Sequence, residues 1–479
     1  MKNVIVIYDD TVPVVGRIKN ILGKKSFGEM VLKRRSMFVR LKDALKKCDC
    51  SPKIVRVVDK AQFDELTKNP VDAIYVHILA NAAILNDEEL AISVDKAQFA
   101  VKTTIFSNNN HTSGAIFPDT KTYASFLAKY RDNGSMDFVN GDALDAPIFI
   151  DISNYDALLM YISGGFDARY FNSLSGDSYT VTKRSADKKK MEAEYKYYWL
   201  LPERMRSFMV MPYGFKDEGN TACYTMERMP MTDIAIRWTH GAIDLDELDA
   251  ILDKSFYFIN QRESQAIDKE KYLTRANKLY LDKLEERIQK LKALPEYTQI
   301  AEMIKTGTSY DNIDGIVADY KKLYEKAIKK ILKSKKTVSV IGHGDMFFAN
   351  MLYSKEVNLL RLIDPKGAIK EHDLWTDPYY DIAKLSHSIC GNYDFFNTGS
   401  YDICLGKDMH YILHVHTDNQ RAKELFAAYL DKYGFDYTAV RIFEASLFLS
   451  MLPLHIDNPH KVFGFILNAI NILEENKNV

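Results

Sequence analysis

Residues 338–367 have the sequence VSVIGHGDMFFANMLYSKEVNLLRLIDPKG, and this stretch decides the fold class of the second part of the chain. Its first four residues, Val338 to Ile341, form a short β-branched run that predicts a strand. The polar triplet His343-Gly344-Asp345 then ends that strand. A second apolar run, Leu359 to Ile363, predicts another strand that delivers Asp364 at its end. The stretch therefore predicts a strand, a tight polar loop, a strand, a turn and a last strand that ends on an acidic residue.

Asp345, Asn350 and Asp364 are the groups that phosphoryl transfer requires of a protein. The reaction needs a carboxylate that orients the attacking hydroxyl and accepts its proton, and oxygen ligands that hold Mg²⁺ on the nucleotide phosphates. The D-x-x-x-x-N spacing followed by a later Asp is that of the kinase catalytic loop and its metal-binding residue. The alternative is a β-hairpin with an Asp turn and a buried Asn.

The H-G-D-x-x-x-x-N form of this loop resembles the aminoglycoside phosphotransferase and choline kinase family. The resemblance implies a bilobal, protein-kinase-like α+β fold, with Asp345 as the catalytic base and Asn350 and Asp364 as Mg²⁺ ligands. ATP and Mg²⁺ are the implied cofactors. Asp377-Pro378-Tyr379-Tyr380-Asp381 resembles the family's later G-D-P-x-x-D segment, which implies that Asp381 supports the catalytic loop. The family usually carries Glu shortly after the metal-binding Asp, and Asp364-Pro365-Lys366-Gly367 departs from that pattern.

Composition and charge narrow the class of protein. The 479 residues exceed one ordinary core, and 47% apolar with 27% charged residues is typical of a globular protein. A formal net charge of −1 gives no reason to expect a nucleic-acid partner. The five cysteines lack CxxC spacing, which favours a reducing compartment without a disulfide framework or a zinc site. We expect a cytoplasmic protein with no signal peptide and no membrane span, and the sequence indicates no particular oligomeric state.

Residues 1–154 are predicted to form a separate α/β domain. The predicted elements are a buried strand at Val4 to Tyr8, a helix at Arg34 to Leu45, and strands at Asp72 to Leu79 and Pro147 to Ile152, in a mostly parallel sheet. The layout resembles sugar nucleotidyltransferases, but YDDTVPVVGR replaces their G-x-G-x-R loop, so nucleotidyl transfer is not expected. Asp9, Asp10 and Asp87 are interpreted as solvated loop acids rather than as a metal site.

The second domain is predicted to span residues 155–479, with an N-lobe at 155–229 and a C-lobe at 230–479. Its first signal is the turn Ser163-Gly164-Gly165, whose backbone N–H groups could close over nucleotide phosphates. The strand Tyr179 to Thr182 then leads into Lys183, where kinases carry their phosphate-binding lysine. The alternatives are an ordinary turn and an edge-strand lysine.

The helix after Lys183 is expected to supply its acidic partner. Glu194 lies three residues after Met191 and four before Tyr198, beside the apolar stripe of the helix, so it is predicted to face inward. Glu192 has lysines on both sides at i±4, which is typical of a surface charge. We therefore assign Glu194 to Lys183 and keep Glu192 as the alternative.

A predicted hinge follows this helix. A strand is expected at Phe208 to Pro212, then a charged turn, then a strand at Ala222 to Met229. In the resembled family this last segment holds the adenine, mostly through main-chain groups, and Met226, Glu227 and Met229 take that place here. A plain hairpin is the alternative.

The order of these elements predicts an ATP- and Mg²⁺-dependent phosphotransferase that acts on the hydroxyl of a small molecule, a sugar, a polyol or an amino alcohol. Fusion of such a domain to a sugar-nucleotide-like α/β domain resembles bacterial capsule and lipopolysaccharide biosynthesis proteins. That resemblance implies a role in cell-surface polysaccharide biosynthesis. The alternatives are a non-catalytic nucleotide-binding scaffold and a bifunctional kinase and nucleotidyltransferase.

Overall fold

The computed structural model describes residues 2–68, 71–108, 111–144, 148–164, 172–177, 179–334 and 336–477. The chain divides into two compact units. The first comprises Met1–Asp167 with His240–Ala242, and the second comprises Ala168–Thr239 with Ile243–Val479. The boundary after Asp167 lies further along the chain than the boundary predicted before Tyr155.

The described part of the first unit alternates strands and helices, as its sequence predicts. Its elements are β1 (Val4–Asp9), α1 (Gly16–Leu22), β2 (Val31–Leu32), β3 (Arg35–Ser36), α2 (Met37–Leu45), β4 (Lys53–Val57), α3 (Gln62–Lys68), β5 (Ile74–Leu79), β6 (Ala82–Ile84), α4 (Asp87–Ala97), β7 (Thr104–Asn108), β8 (His111–Phe117), α5 (Thr120–Asn133), β9 (Asp142–Leu144), β10 (Phe149–Asp151) and α6 (Tyr155–Gly164).

The main sheet of this unit has the strand order β4-β1-β5-β8-β7-β9. Strand β1 pairs in parallel with β4 and β5, and all residues of β1 and β5 are buried, as expected for the interior of a parallel sheet. The sheet is nevertheless mixed, because β8 pairs antiparallel with both β5 and β7. Strand β8 begins three residues after β7 ends, and so short a connection can join only antiparallel neighbours.

Two acids at the end of β1 are buried rather than solvated, which corrects the interpretation of Asp9 and Asp10. Asp9 accepts hydrogen bonds from the Tyr130 hydroxyl at 2.7 Å and from the backbone N of Thr11 at 2.9 Å. Asp10 accepts a hydrogen bond from the backbone N of Gly28 at 2.8 Å and pairs with Arg56. These bonds compensate the cost of burying the carboxylates. The described residues contain no group of three or more His, Cys, Asp or Glu side chains that could hold a metal ion.

The second unit opens with a small sheet and continues into a mostly helical region. Its elements over the described residues are β11 (Asn172–Gly176), β12 (Thr180–Ser185), α7 (Lys188–Leu200), α8 (Glu203–Arg206), β13 (Pro212–Asp217), β14 (Ala222–Glu227), α9 (Ile234–Thr239), α10 (Leu245–Gln261), β15 (Ser264–Ala266), α11 (Lys269–Asn277), a π-helical turn (Lys278–Asp282), α12 (Lys283–Lys292), α13 (Tyr297–Gly307), α14 (Ile313–Ser334), β16 (Val338–Ile341), a 3₁₀ turn (Phe348–Asn350), β17 (Met351–Ser354), β18 (Leu359–Leu362), a 3₁₀ turn (Glu371–Leu374), β19 (Trp375–Thr376), α15 (Tyr380–Ile389), α16 (Tyr393–Thr398), β20 (Tyr401–Leu405), β21 (Tyr411–Val415), α17 (Gln420–Lys432), α18 (Tyr437–Met451), a 3₁₀ turn (Leu452–His455) and α19 (Pro459–Glu475).

The small lobe is an antiparallel sheet in the order β11-β12-β14-β13, with helix α7 packed on it through Met191. The strand predicted at Phe208 to Pro212 is wrong, because β13 begins only at Pro212. The apolar residues before it bond to β18 instead: the N–H of Leu362 donates to the carbonyl of Phe208 at 2.7 Å, and the N–H of Val210 donates to the carbonyl of Leu362 at 3.2 Å. Burial against the larger lobe therefore overrides the local strand pattern.

The large lobe is built on one apolar core that extends through its helices. Helices α18 and α19 lie at its centre, and every residue of α18 from Ala439 to Met451 is buried. Among the described residues, the stretch Tyr437–His455 is long and apolar enough to cross a membrane, yet 78% of its most apolar 18-residue window is buried inside the protein. Burial of this kind is that of a core helix.

Candidate active site

The predicted catalytic loop follows β16 as a tight turn. Gly344 has a φ of +80°, a left-handed conformation that glycine adopts without strain, and a Cβ there would lie 2.6 Å from the Cβ of Lys366. Asp381 accepts hydrogen bonds from the backbone N–H of His343 at 3.0 Å and of Gly344 at 2.7 Å. One carboxylate therefore fixes the two residues that precede Asp345.

Asp381 and its neighbours form a buried support beneath this loop. Arg262 donates to Asp381 at 3.1 Å and to the carbonyl of Pro378 at 3.1 Å. The hydroxyl of Tyr197 in helix α7 donates to the carbonyl of Gly342 at 2.9 Å. His343 is fully buried, and burial lowers its pKa, so the ring is neutral near pH 7. None of these groups reaches solvent, which gives them a structural role.

Asp345 lies between an amide and an ammonium group. The Nδ2 of Asn350 donates to the backbone carbonyl of Asp345 at 2.9 Å and to its Oδ2 at 3.2 Å. The Nζ of Lys384 lies 2.8 Å from Oδ1, and the side chain of Asp345 is 33% exposed. Burial alone would lower the pKa of Lys384, but the carboxylate of Asp345 raises it, so the lysine is charged. The site thus presents a carboxylate that is accessible and held on both oxygens.

Lys384 was not identified from the sequence. It lies three residues after Asp381 on helix α15, so the two side chains share a face of that helix. Asp381 holds the backbone of the catalytic loop, and Lys384 holds its carboxylate. The i, i+3 spacing was the available signal, but a partner 39 positions from Asp345 cannot be found without the fold.

Asp364 lies beside Asn350 because the two segments are joined through the backbone. The N–H of Ile363 donates to the carbonyl of Asn350 at 3.0 Å. Asp364 has a φ of +55°, a left-handed conformation that Asp tolerates better than most residues. Its Oδ1 pairs with the Nζ of Lys183 at 2.9 Å. The structure therefore brings the predicted base, both predicted metal ligands and the predicted lysine together.

The pair assigned from the helix pattern forms in the structure. The Nζ of Lys183 donates to the Oε2 of Glu194 at 2.7 Å, and the Tyr224 hydroxyl donates to the same oxygen at 2.9 Å. Burial alone would lower the pKa of Lys183, but the carboxylates of Asp364 and Glu194 raise it above its ordinary value. Glu192 instead pairs with Lys196 at the surface. Lys183 is thus a buried cation between two carboxylates.

The Asp364-Pro365-Lys366-Gly367 segment, which departs from the resembled family, packs on helix α7. Gly367 has a φ of +89°, and a Cβ there would lie 2.8 Å from the carbonyl carbon of Ala193. The N–H of Ala368 donates to the carbonyl of Ala193 at 2.9 Å. A glycine is required here by both the conformation and the close approach. The segment after the predicted metal ligand is thereby tied to the helix that carries Glu194.

The oxygen atoms near Asp364 suit Mg²⁺. The Oδ1 of Asn350 and the Oδ2 of Asp364 accept no hydrogen bond from any described residue. Mg²⁺ prefers oxygen ligands and is commonly held by one or two protein groups together with substrate phosphates. The donor set on these two residues therefore fits Mg²⁺.

The predicted hinge residues lie at the end of β14. Met226 lines a small cleft that also includes Glu194, Leu362 and Asp364. Glu227 is exposed and lies opposite Thr180 in the β12–β14 ladder. The backbone N–H and C=O of Met229 form no hydrogen bond with any described residue, so they are available to a ligand edge.

The predicted phosphate-covering turn is wrong where the structure describes it. Ser163 and Gly164 are the last residues of helix α6, which belongs to the first unit, and Gly165 lies outside the described residues. Glycine is common where helices end, so a Ser-Gly-Gly sequence fits a helix end as well as a turn. Ser163 and Gly164 are therefore not part of the small-lobe sheet.

Comparisons with known proteins give structural likeness only. No family model matches the chain, and no curated protein matches it. Among solved structures, it is similar to a glucosamine kinase (12% identity, TM-score 0.37, covering 67% of this chain and 84% of that chain). It is also similar to an aminoglycoside phosphotransferase APH(4)-Ia variant in ternary complex with AMP-PNP and hygromycin B (9%, 0.40, 68% and 99%). A third is a putative fructosamine-3-kinase from Haemophilus somnus 129PT (12%, 0.36, 61% and 83%). Likeness at these TM-scores shows nothing about function.

Proposed function

We propose that the second unit is an ATP- and Mg²⁺-dependent phosphotransferase that acts on the hydroxyl of a small molecule. The observation that carries the proposal is the convergence of Asp345, Asn350, Asp364 and the Lys183–Glu194 pair. These groups come from separate parts of the chain between Lys183 and Asp364, in the order expected for phosphoryl transfer. A hairpin with a structural Asp turn would not need a buried lysine between two carboxylates.

In this proposal the large lobe supplies the base and the metal ligands, and the small lobe supplies the phosphate-binding lysine. Asp345 accepts the proton of the acceptor hydroxyl while that oxygen forms its bond to the transferred phosphorus and the bond to the ADP oxygen breaks. Asn350 and Asp364 would hold Mg²⁺, which supplies neutralisation of phosphate charge when bound. Lys183, kept in place by Glu194, binds phosphate oxygens, and the backbone of Met229 binds the adenine edge.

The oxygens of Asp345 are already oriented for this task. Oδ2 accepts from Asn350 and Oδ1 from Lys384, so the carboxylate cannot rotate freely. A base held in this way loses little entropy when the acceptor binds. Its partial exposure leaves room for a hydroxyl.

The decisive experiment compares Asp345→Asn with wild type in an ADP-release assay over sugars, polyols and amino alcohols. Turnover should fall roughly 10²–10⁴-fold, because asparagine cannot accept the proton. Affinity for Mg²⁺·AMP-PNP should be retained. The exposed Asp311, replaced by Asn, is the matched control and should leave turnover unchanged. A D345N variant with more than half of wild-type turnover would exclude the assignment.

A role in capsule or lipopolysaccharide biosynthesis, and a cytoplasmic location, remain predictions. They rest on the resemblance of the whole domain arrangement and on composition. The first unit has an α/β architecture, but the absence of the G-x-G-x-R sequence after β1 argues against nucleotidyl transfer. Analysis of the capsule and lipopolysaccharide made by cells that lack this protein would test the biosynthetic role.

A further inference from the structure

We propose that the acceptor carries an anionic group, a phosphate or a carboxylate, which is bound by a cluster of three lysines beside Asp345. The cluster consists of Lys283, Lys366 and Lys384 around the side chain of Tyr380. The inference rests on the proposed function and narrows its acceptor to a phosphorylated or carboxylated sugar or polyol.

The three lysines come from three separate elements that meet at the catalytic loop. Lys384 on α15 contacts Asp345 at 2.8 Å. The Nζ of Lys283, at the start of α12, donates to the Tyr380 hydroxyl at 3.3 Å. Lys366 follows Asp364 closely, and its Cβ and Cδ lie against Gly344, directly before Asp345. Convergence of three unrelated segments gives a site rather than a run of surface charge along one helix.

Among the described residues, only one of the three lysines of this cluster has an acidic partner. Lys384 has the carboxylate of Asp345 as its partner. Neither Lys283 nor Lys366 forms an ion pair with any described residue. Most of the other lysines of helices α12 and α14 do form one, such as Lys290 with Glu286. Two positive charges therefore remain for a ligand.

The hydroxyl of Tyr380 lies among these lysines and accepts a hydrogen bond from Lys283. Tyr380 is buried, and burial alone would raise the pKa of its hydroxyl. Lys283, Lys384 and Lys366 together lower that pKa below its ordinary value, against the opposing carboxylate of Asp345. At this hydroxyl the three lysines therefore outweigh both burial and the carboxylate of Asp345.

Lysines next to the catalytic base would select the acceptor by its charge. A cationic amino alcohol or amino sugar would meet like charges there, which is costly, whereas a phosphate or carboxylate would gain charge-assisted hydrogen bonds. The lysines could alternatively contact the phosphoryl group of the nucleotide. The two sources of negative charge are separated when the nucleotide site is filled first.

The test uses inorganic sulfate as the probe on the full chain saturated with Mg²⁺·AMP-PNP, by calorimetry at constant ionic strength. We expect saturable binding of one sulfate, weakened about tenfold by Lys283→Met, since one charged contact is lost. Lys290→Met, on the same helix but paired with Glu286, is the matched control and should bind sulfate like wild type. Absence of saturable binding, or equal binding by K283M, overturns the proposal.

Acceptor kinetics give the second arm. Among alcohols that release ADP, an anionic member such as glucose 6-phosphate should have a higher kcat/KM than glucose, and glucosamine a lower one. K283M should reduce this ratio without changing the KM for ATP. A preference for glucosamine, or an equal loss for all three sugars with a raised KM for ATP, would refute it. Failure to bind AMP-PNP with Mg²⁺ would instead refute the proposed function, and the inference about the acceptor, which rests on that function, would fall with it.

Discussion

Replacement of Glu194 by glutamine tests whether helix α7 positions the phosphate-binding lysine. Glu194 is buried and accepts from Lys183 at 2.7 Å and from Tyr224 at 2.9 Å through the same oxygen. Glutamine keeps the size of the side chain but is neutral, and its amide nitrogen adds a donor where donors already converge. Asp364, at 2.9 Å, would then be the one carboxylate that remains paired with Lys183 among the described residues. We therefore expect the lysine to move away from its position between the lobes.

The expected losses of rate and of folding stability in Glu194→Gln follow from the burial of this pair. Loss of a positioning contact can cost on the order of 10²-fold in rate, equivalent to about 2.7 kcal/mol at roughly 1.36 kcal/mol per tenfold. Removal of one partner from a buried pair can destabilise by about 3–5 kcal/mol, and the remaining contact with Asp364 should reduce that cost. Glu192→Gln removes an exposed pair with Lys196 and should cost only about 0.3–0.5 kcal/mol.

The assay compares the two variants, which lie two residues apart on one helix, with wild type. Turnover, the KM for ATP and the melting temperature are measured on the full chain. Glu194→Gln should lower kcat about 10²-fold, while Glu192→Gln leaves all three quantities nearly unchanged. Equal effects of the two substitutions, or wild-type turnover in E194Q, would refute the positioning role of helix α7.

Four further predictions follow from single contacts. Asp364→Ala should abolish the Mg²⁺-dependent part of AMP-PNP affinity, and an unchanged Mg²⁺ effect in calorimetry would contradict the ligand assignment. Lys384→Met should lower kcat and move the acid limb of the pH–rate profile to higher pH, because Asp345 loses a cation at 2.8 Å. Lys384→Arg should recover part of the activity. An unshifted profile in Lys384→Met would contradict the role of Lys384 beside Asp345. Gly367→Ala should lower the melting temperature more than Gly219→Ala, since both have positive φ but a Cβ at Gly219 meets no atom within 4 Å; equal losses would exclude the steric cause. Burial raises the pKa of Asp233 and of Asp394 to about 7. The contribution of these two groups to stability is therefore full below pH of about 4 and is lost as the pH rises through about 7. Between pH 5 and 8 the melting temperature of the double Asn variant should fall less than that of wild type, and an equal fall would refute this.

Local patterns in the sequence predict the elements that carry the site. Strand β16 has the predicted bounds, Val338–Ile341, because β-branched residues favour the extended backbone and polar residues flank the run. The inward orientation of Glu194 follows from its spacing to Met191 and Tyr198 along helix α7. The spacing of Asp345 and Asn350 is likewise local, since the 3₁₀ turn between them is short.

Features that depend on distant partners could not be predicted in the same way. The segment from Phe208 has the composition of a strand, yet its backbone bonds to Leu362, more than 150 positions away. The antiparallel pairing of β8 with β5 depends on which strand lies next to it rather than on its own residues. Lys384 is one of many helical lysines in the sequence, and only the fold shows that it contacts Asp345.

Helix α7 contacts three separate parts of the proposed active site. Its residue Glu194 holds Lys183 of the small sheet, and Tyr197 donates to the carbonyl of Gly342 at the start of the catalytic loop. Its Ala193 carbonyl accepts from Ala368, behind Asp364. Three contacts made within five residues of this helix, Ala193 to Tyr197, thus join the lysine, the base-bearing loop and the segment after the metal ligand. A displacement of this helix would alter all three contacts together, so the geometry of the proposed phosphotransferase site depends on the position of helix α7.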